Sequence, residues 1–409
     1  MSDERSFVII GAGLAGVRAA DALRAEGFAG RVVLLGEEPV RPYDRVPLSK
    51  QYLRSEPGGH RLFVHDKCYY GEQDIELRLD TRAASIDVAT QQVVLESAER
   101  IDYDRLLLAT GSELRKLKVP GSELPGVHYL RRMTDADHLR DAITAAQRIV
   151  VVGAGFIGCE VAASARQMGV DVALVGVADL PMQRALGTQT AQFYRNVHAG
   201  HGVDMHLGVG VSAFRGGSAV EEVVLANGKV LAADAVLVGI GVQPRVELAR
   251  SAGITLDNGI ATDEHLATNV PGIFAAGDVA NALHPFLGSR LRLEHWSSAL
   301  EQGPVAARNM LGITTVYDRV PFFFTDQYDV WMEYTGYAAD GADVVFRGDP
   351  ATGSSIAFWL RDGKLVAGMN VNIKGVPDTI AALIASGQTL DPAALVDPKV
   401  DLASLLPTT

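Results

Sequence analysis

Cysteine is nearly absent from the chain: Cys68 and Cys159 are the only two among 409 residues. They form neither a CxxC pair nor part of a metal-ligand cluster. That excludes a zinc or iron–sulfur centre inside the chain and suits a reducing compartment. Positive charge is also scarce relative to negative, with a formal net charge of -12. No basic stripe or arm is present, which argues against a nucleic-acid partner. No apolar run is long enough to cross a bilayer. The opening MSDERSFVII enters a strand directly, with no charged leader ahead of a long apolar stretch. The expectation is a soluble, cytoplasmic protein with no membrane or nucleic-acid partner and no metal.

Glycine is abundant, at 42 residues, and 48% of the chain is hydrophobic. A chain of this length accommodates roughly two to four domains. The glycines recur in spaced motifs rather than in low-complexity runs. RSFVIIGAGLAGVRAADALRAEG reads as a buried strand, a turn with Gly11, Gly13 and Gly16, and a helix carrying Ala15, Ala19, Ala20 and Leu23. One glycine permits the tight turn, one lets the backbone approach a pyrophosphate, and one lets helix and strand pack closely. The diphosphate then rests on the free N–H groups at the helix start.

RIVVVGAGFIGCEVAASARQMG repeats the unit with Gly153, Gly155, Phe156, Ile157 and Gly158. One GxGxxG is weak evidence. Two copies, each between a strand and an Ala-rich helix and each followed by a further apolar strand, indicate two dinucleotide sites. Downstream the copies differ. RVVLLGEE supplies Glu37 and Glu38, and Glu37 is the candidate for the FAD ribose. DVALVG ends in Gly176 with no acid at its tip, and Asp179, three residues on, reads as a turn cap, with a reach to the ribose as the alternative. In TNVPGIFAAGDVAN, Asp278 follows a short strand at a glycine turn expected to lead into a helix. It suits hydrogen bonds from a flavin ribityl chain, but alone it also reads as an ordinary N-cap.

With RPYDRVPLSK, LLLATGS, VGIGVQP, RLEHWSSALEQGPVAARNMLG and PFFFTDQYD, the chain resembles the two-dinucleotide-fold flavoprotein disulfide-reductase superfamily. Within it, the chain is similar to the NAD(P)H-dependent ferredoxin reductases that serve cytochrome P450 and ring-hydroxylating oxygenase systems. The resemblance implies an α/β, glutathione-reductase-like architecture. An FAD-binding domain would span 1–111 and 239–319, an NAD(P)H-binding domain 112–238, and a C-terminal α+β interface domain 320–409. The chain's own punctuation agrees: VPGSELPGV links into the second domain, and RDG marks a hairpin before the helix PDTIAALIASG.

The resemblance also assigns residues. Lys50 would lie beside the reactive edge of the isoalloxazine, paired with Glu160. Arg45 would help neutralise the diphosphate, with Pro42 and Pro47 stiffening its loop. Thr110 and Gly111 would contact the flavin, Ala83 the adenine, Arg131 the FAD, and Asp278 with Val279 the ribityl region. Gly241 belongs to the VGIGVQP turn. Trp296 would stand against the flavin ring, and Glu294 and His295 would meet the nicotinamide amide, although His295 also reads as a packed surface histidine. Cys68 and Cys159 read as structural, so electrons leave a tightly but non-covalently bound FAD without a thiol relay.

Two departures from the family stand out. Phe324 occupies a place where the family usually carries Trp, and FFF also reads as core. Gly176 removes the carboxylate that would repel the 2′-phosphate of NADPH, while Arg184 matches an arginine that accompanies NADH use. The expectation is NADH with relaxed selectivity.

The implied activity passes electrons from NAD(P)H through FAD to a [2Fe–2S] ferredoxin. Rubredoxin or monodehydroascorbate are alternative acceptors. A different class, an NAD(H)-binding sensor in the manner of apoptosis-inducing factor, shares some likeness in RLEHWSSA. An acidic ferredoxin would need a local basic patch, drawn from Arg290, Arg292, Arg319 or Lys374. The expected assembly is a monomer or weak homodimer.

Overall fold

Successive side chains on a strand point to opposite faces, and residues 7–10 are apolar at every position. Such a strand has to be covered on both sides. The structure, a computed structural model, describes residues 3–57, 62–285, 287–338 and 341–407. Both coverings are present. Phe7 and Ile9 lie in one core with Val17, Ala20 and Leu23, whereas Val8 and Ile10 lie in another with Ile86, Val93 and Ile273.

The chain divides into two units. The first gathers Met1–Asp44, Leu62–Glu113 and Gln243–Pro321. Its centre is a parallel sheet in the order Ile273–Ala275, Arg105–Leu108, Ser6–Ile10, Arg31–Leu35, Ile75–Arg78. Helix Leu14–Ala25 packs on helix Trp296–Met310. The approach is close enough that a Cβ on Gly303 would strike the carbonyl oxygen of Ala15.

One expectation fails in this unit. No helix follows Asp278: the chain runs into strand Ala280–His284, paired with Ile260–Thr262 and Ser289–Leu291. The alanines favour a helix locally, but Ala280 and Ala282 are buried in the two cores and sheet pairing wins. Asp278 is therefore not an N-cap.

The second unit gathers Arg45–Arg61, Leu114–Val242 and Phe322–Thr409. A parallel sheet runs Asp204–Leu207, Asp171–Gly176, Arg148–Val152, Ala235–Val238, Val127–His128. Helix Phe156–Gln167 follows its glycine turn, and helix Gln183–Gly200 follows the next strand. An antiparallel sheet runs Phe322–Gln327, Val330–Gly336, Lys364–Val371, Ser355–Arg361, Asp343–Arg347. The expected RDG hairpin joins Ser355–Arg361 to Lys364–Val371, with Asp362 and Gly363 both at positive φ (51° and 73°). The expected helix follows as Pro377–Ser386, ended by Gly387 in the left-handed conformation.

Candidate functional site

The two glycine turns are built alike. Gly11 and Gly153 have φ of 115° and 114°. A Cβ on either would run into the carbonyl oxygen of Ala109 or Gly239, at the end of the neighbouring strand. A Cβ on Gly16 or Gly158 would strike the carbonyl oxygen of Gly11 or Gly153, so these glycines let each helix close on its own turn. Gly13 and Gly155 differ from the others: a Cβ there meets nothing within 4 Å, and neither helix start has a side-chain cap. Each helix thus begins with uncapped N–H groups facing room for an anion. The donor set and the space fit a dinucleotide diphosphate in both turns.

The first cradle collects several expected residues in one unit. Glu37 follows strand Arg31–Leu35 and accepts a bidentate pair from Arg245 at 2.6 and 2.8 Å. The Thr110 hydroxyl donates to the Arg245 carbonyl at 2.8 Å, and Gly111 follows with φ 66°. Asp278 and Val279 adjoin Gly277, where a Cβ would lie 3.1 Å from that of Ala15, so this loop abuts the cradle helix. Trp296 donates its indole N–H to Asp44 at 3.0 Å. Burial pushes the His295 imidazole down to about 4, opposed by nearby Asp278. Glu294 is exposed and paired with Arg292 at 2.6 Å. Ala83 opens strand Ala83–Asp87 and is buried.

The second cradle sets Gly176 where the first sets Gly36. Leu35 and Val175 occupy the same register, each accepting from the N–H of Gly11 or Gly153 at 2.9 and 2.8 Å. Gly36 and Gly176 come next, and a Cβ on either would crowd the Cβ of Ala12 or Ala154, at 2.9 and 2.8 Å. Gly176 is therefore the counterpart of Gly36, kept small by packing against the turn. The counterpart of Glu37 is Val177, which is 82% exposed. The equivalence extends further along the chain: Ala109 and Gly239 donate to Ile10 and Val152, making Gly241 (φ 95°) the match of Gly111. Aligning GEE with GVA in the two copies contains this signal. Arg184 is exposed near the start of helix Gln183–Gly200. Ile157 is 45% exposed beside the uncapped turn, and Phe156 packs edge-on against Phe323 at 5.0 Å.

Lys50 and Glu160 are 110 positions apart in sequence and meet as an ion pair of 2.8 Å, with both side chains buried. The Glu160 carboxylate also accepts from the Ser49 hydroxyl at 2.5 Å and the Thr325 hydroxyl at 2.7 Å. A buried charge pair needs such extra donors, because Coulomb attraction alone rarely offsets desolvation. The Lys50 ammonium lies 5.8 Å from the centre of the Phe324 ring. Arg45 donates to the Arg131 carbonyl at 2.7 Å in the same unit.

Sequence reasoning missed Asp44, Ser49, Arg245, Thr325 and Gln327, although each lies in or beside a quoted motif, and His198, which no motif marks. Of the basic patch candidates, Arg290 donates to backbone carbonyls, Arg292 is held by Glu294, and Arg319 lies 3.5 Å from Glu301. Both cysteines are free thiols; Cys159 is buried and Cys68 exposed. Among the described residues, no helix is long and apolar enough to cross a membrane, and no cluster of three metal-ligating side chains occurs.

The pattern described as pyridine nucleotide-disulphide oxidoreductase matches residues 5–303, and one described as reductase C-terminal matches 322–406. The chain is 40% identical over 401 residues to the ferredoxin--NAD(+) reductase component of the anthranilate 1,2-dioxygenase system of Burkholderia cepacia, covering 98% of this chain and 99% of that one. It is 39% identical to rhodocoxin reductase of Rhodococcus erythropolis, covering 97% and 93%. A crystal structure of putidaredoxin reductase, covalently joined to putidaredoxin, matches with a TM-score of 0.95 at 34% identity, covering 98% of both chains. This chain belongs to the pyridine nucleotide-disulphide oxidoreductase family, in the group that includes those reductases.

Proposed function

We propose that this protein is the reductase of an oxygenase electron-transfer system, taking electrons from NADH through FAD to a [2Fe–2S] ferredoxin. When bound, FAD accepts a hydride from the nicotinamide and releases electrons singly to an iron–sulfur acceptor. The observation that carries the reading is the doubled glycine cradle, with Glu37 after the strand of one copy and the exposed Val177 at the matching position of the other. FAD takes the first cradle, with Glu37 at its ribose and Asp278 at its ribityl chain. The nicotinamide nucleotide takes the second. Residues 1–111 and 239–319 form the FAD-binding domain, 112–238 the NAD(P)H-binding domain, and 320–409 the C-terminal interface domain.

Lys50 would supply a fixed cation to stabilise the negative charge of a reduced flavin, and Glu160 holds that cation in place. Trp296, anchored by Asp44, would stand against the flavin ring. The two cysteines are unpaired, which supports direct electron exit without a thiol relay and a reducing, cytoplasmic setting. Anaerobic rapid mixing of the flavin-loaded protein with NADH and with NADPH, followed by a [2Fe–2S] ferredoxin, tests the reading. Flavin bleaching followed by ferredoxin reduction is expected. Failure to bleach with either nucleotide removes it.

A further inference from the structure

Thr325 and Gln327 alternate on one face of strand Phe322–Gln327, and each is buried to within 1%. His198, on helix Gln183–Gly200, is also fully buried. Three polar side chains are costly to bury unless each finds partners. Here they find one another. His198 Nε2 lies 2.9 Å from Gln327 Oε1, Gln327 Nε2 lies 3.2 Å from Thr325 Oγ1, and Thr325 Oγ1 lies 2.7 Å from Glu160 Oε1. At the far end, the Tyr328 hydroxyl lies 3.3 Å from His198 Nδ1.

We propose that His198 is a positioning residue for the Lys50–Glu160 pair, acting through the Gln327 amide to aim the Thr325 hydroxyl at Glu160. The inference rests on the reading of Lys50 and Glu160 as the pair that serves the flavin. The direction of every bond follows from donor count. A neutral imidazole carries one ring proton, and burial pushes the His198 imidazole down to about 4. With that proton on Nε2, His198 donates to the Gln327 carbonyl and Nδ1 accepts from Tyr328. The Gln327 amide N–H groups then face Thr325 and the Met182 sulfur, at 3.2 and 3.5 Å. The Thr325 oxygen receives one of them, so its single hydrogen goes to Glu160.

If the Gln327 amide turned over, its carbonyl would draw the Thr325 hydrogen away from Glu160. The carboxylate would then be left with Lys50 and Ser49. With its proton on Nε2, His198 opposes that turn, because an N–H there has to face the carbonyl. The amide also interrupts proton hopping, so the chain orients rather than conducts. Met182, whose N–H donates to the Ala154 carbonyl at 2.8 Å, ties the same amide to the second glycine turn.

The test uses the flavin-loaded protein, with flavin midpoint potential and the rate of flavin reduction by NADH as readouts. Gln327→Glu is close to isosteric and offers a carboxylate that captures the Thr325 hydrogen. Thr325→Val removes the hydroxyl at nearly constant shape. Each is expected to lower the potential and slow reduction on the order of tenfold, the worth of one hydrogen bond to a carboxylate. The Gln327→Glu/Thr325→Val double variant is expected to be no slower than either single. His198→Phe is expected to share the defect, and His198→Gln, which keeps an N–H at similar reach, to relieve it. Additive effects in the double variant, or an unchanged potential in all of these while Lys50→Met shifts it, would overturn the proposal. An unchanged potential in Lys50→Met would instead sink the reading of the ion pair itself.

Discussion

Replacing Val177 by Glu places a carboxylate where the first cradle carries Glu37. Its effect follows from charge and exposure. Two unit charges about 4 Å apart interact by about 4 kcal/mol at an effective dielectric of about 20. Val177 is 82% exposed, so solvent and salt reduce the repulsion of a 2′-phosphate to about 1 kcal/mol. A hydrogen bond from the ribose hydroxyl of NADH to the new carboxylate contributes about 1 kcal/mol at such an exposed site. Together these shift the NADH-to-NADPH preference by about 2 kcal/mol, or roughly thirty-fold.

Stopped-flow flavin reduction over a range of each nucleotide measures the ratio directly. Gly176→Ala is the contrast. Its methyl would lie 2.8 Å from that of Ala154, so it is expected to cost about 1–3 kcal/mol of stability by overpacking while leaving the ratio within a few-fold. The reasoning is refuted if Val177→Glu leaves the ratio unchanged in protein that retains its flavin. It is equally refuted if Gly176→Ala moves the ratio as far.

Three further outcomes are expected. Lys50→Met strands the buried Glu160 and should cost about 3–5 kcal/mol, whereas Lys50→Met/Glu160→Gln should recover part of it; thermal melts of both decide the point, and equal losses would contradict the pairing. His198 has its folded pKa lowered from 6.5 to about 4, so unfolding takes up a proton between those values. Stability should fall as pH drops from about 6.5 towards 4, by about 3 kcal/mol from this group, and His198→Gln should flatten that stretch of the urea-melt pH profile. The double variant Cys68→Ser/Cys159→Ala should retain electron transfer to ferredoxin, since the two thiols are unpaired; loss of transfer with flavin reduction intact would show a thiol step.

Much of the local architecture is legible in the amino-acid sequence because it rests on short-range constraints. Gly11 and Gly153 are required by a positive φ, and Gly16 and Gly158 by contact with the carbonyl five residues back, so each turn is written within a dozen positions. The RDG hairpin and the Pro377–Ser386 helix are local in the same sense. Position 177 was also within reach, since setting GEE beside GVA places Val opposite Glu37. The packing of Gly36 and Gly176 against their turns shows only in three dimensions.

Other features depend on segments far apart in the chain, and no local pattern encodes them. Ala280 and Ala282 form a strand because Ile260–Thr262 is there to pair with them. Arg245 reaches Glu37 across 208 positions. Four segments, contributing Ser49 and Lys50, Glu160, His198, and Thr325 with Gln327, converge within the second unit. A buried polar group is tolerated only where its partners arrive in the right orientation, and that orientation exists only once the chain has folded. Glycine spacing and apolar runs along the chain suffice for the doubled cradle and for the residue types available. Which side chains hold one another emerges only on folding, because hydrogen-bond direction and burial are properties of assembled space.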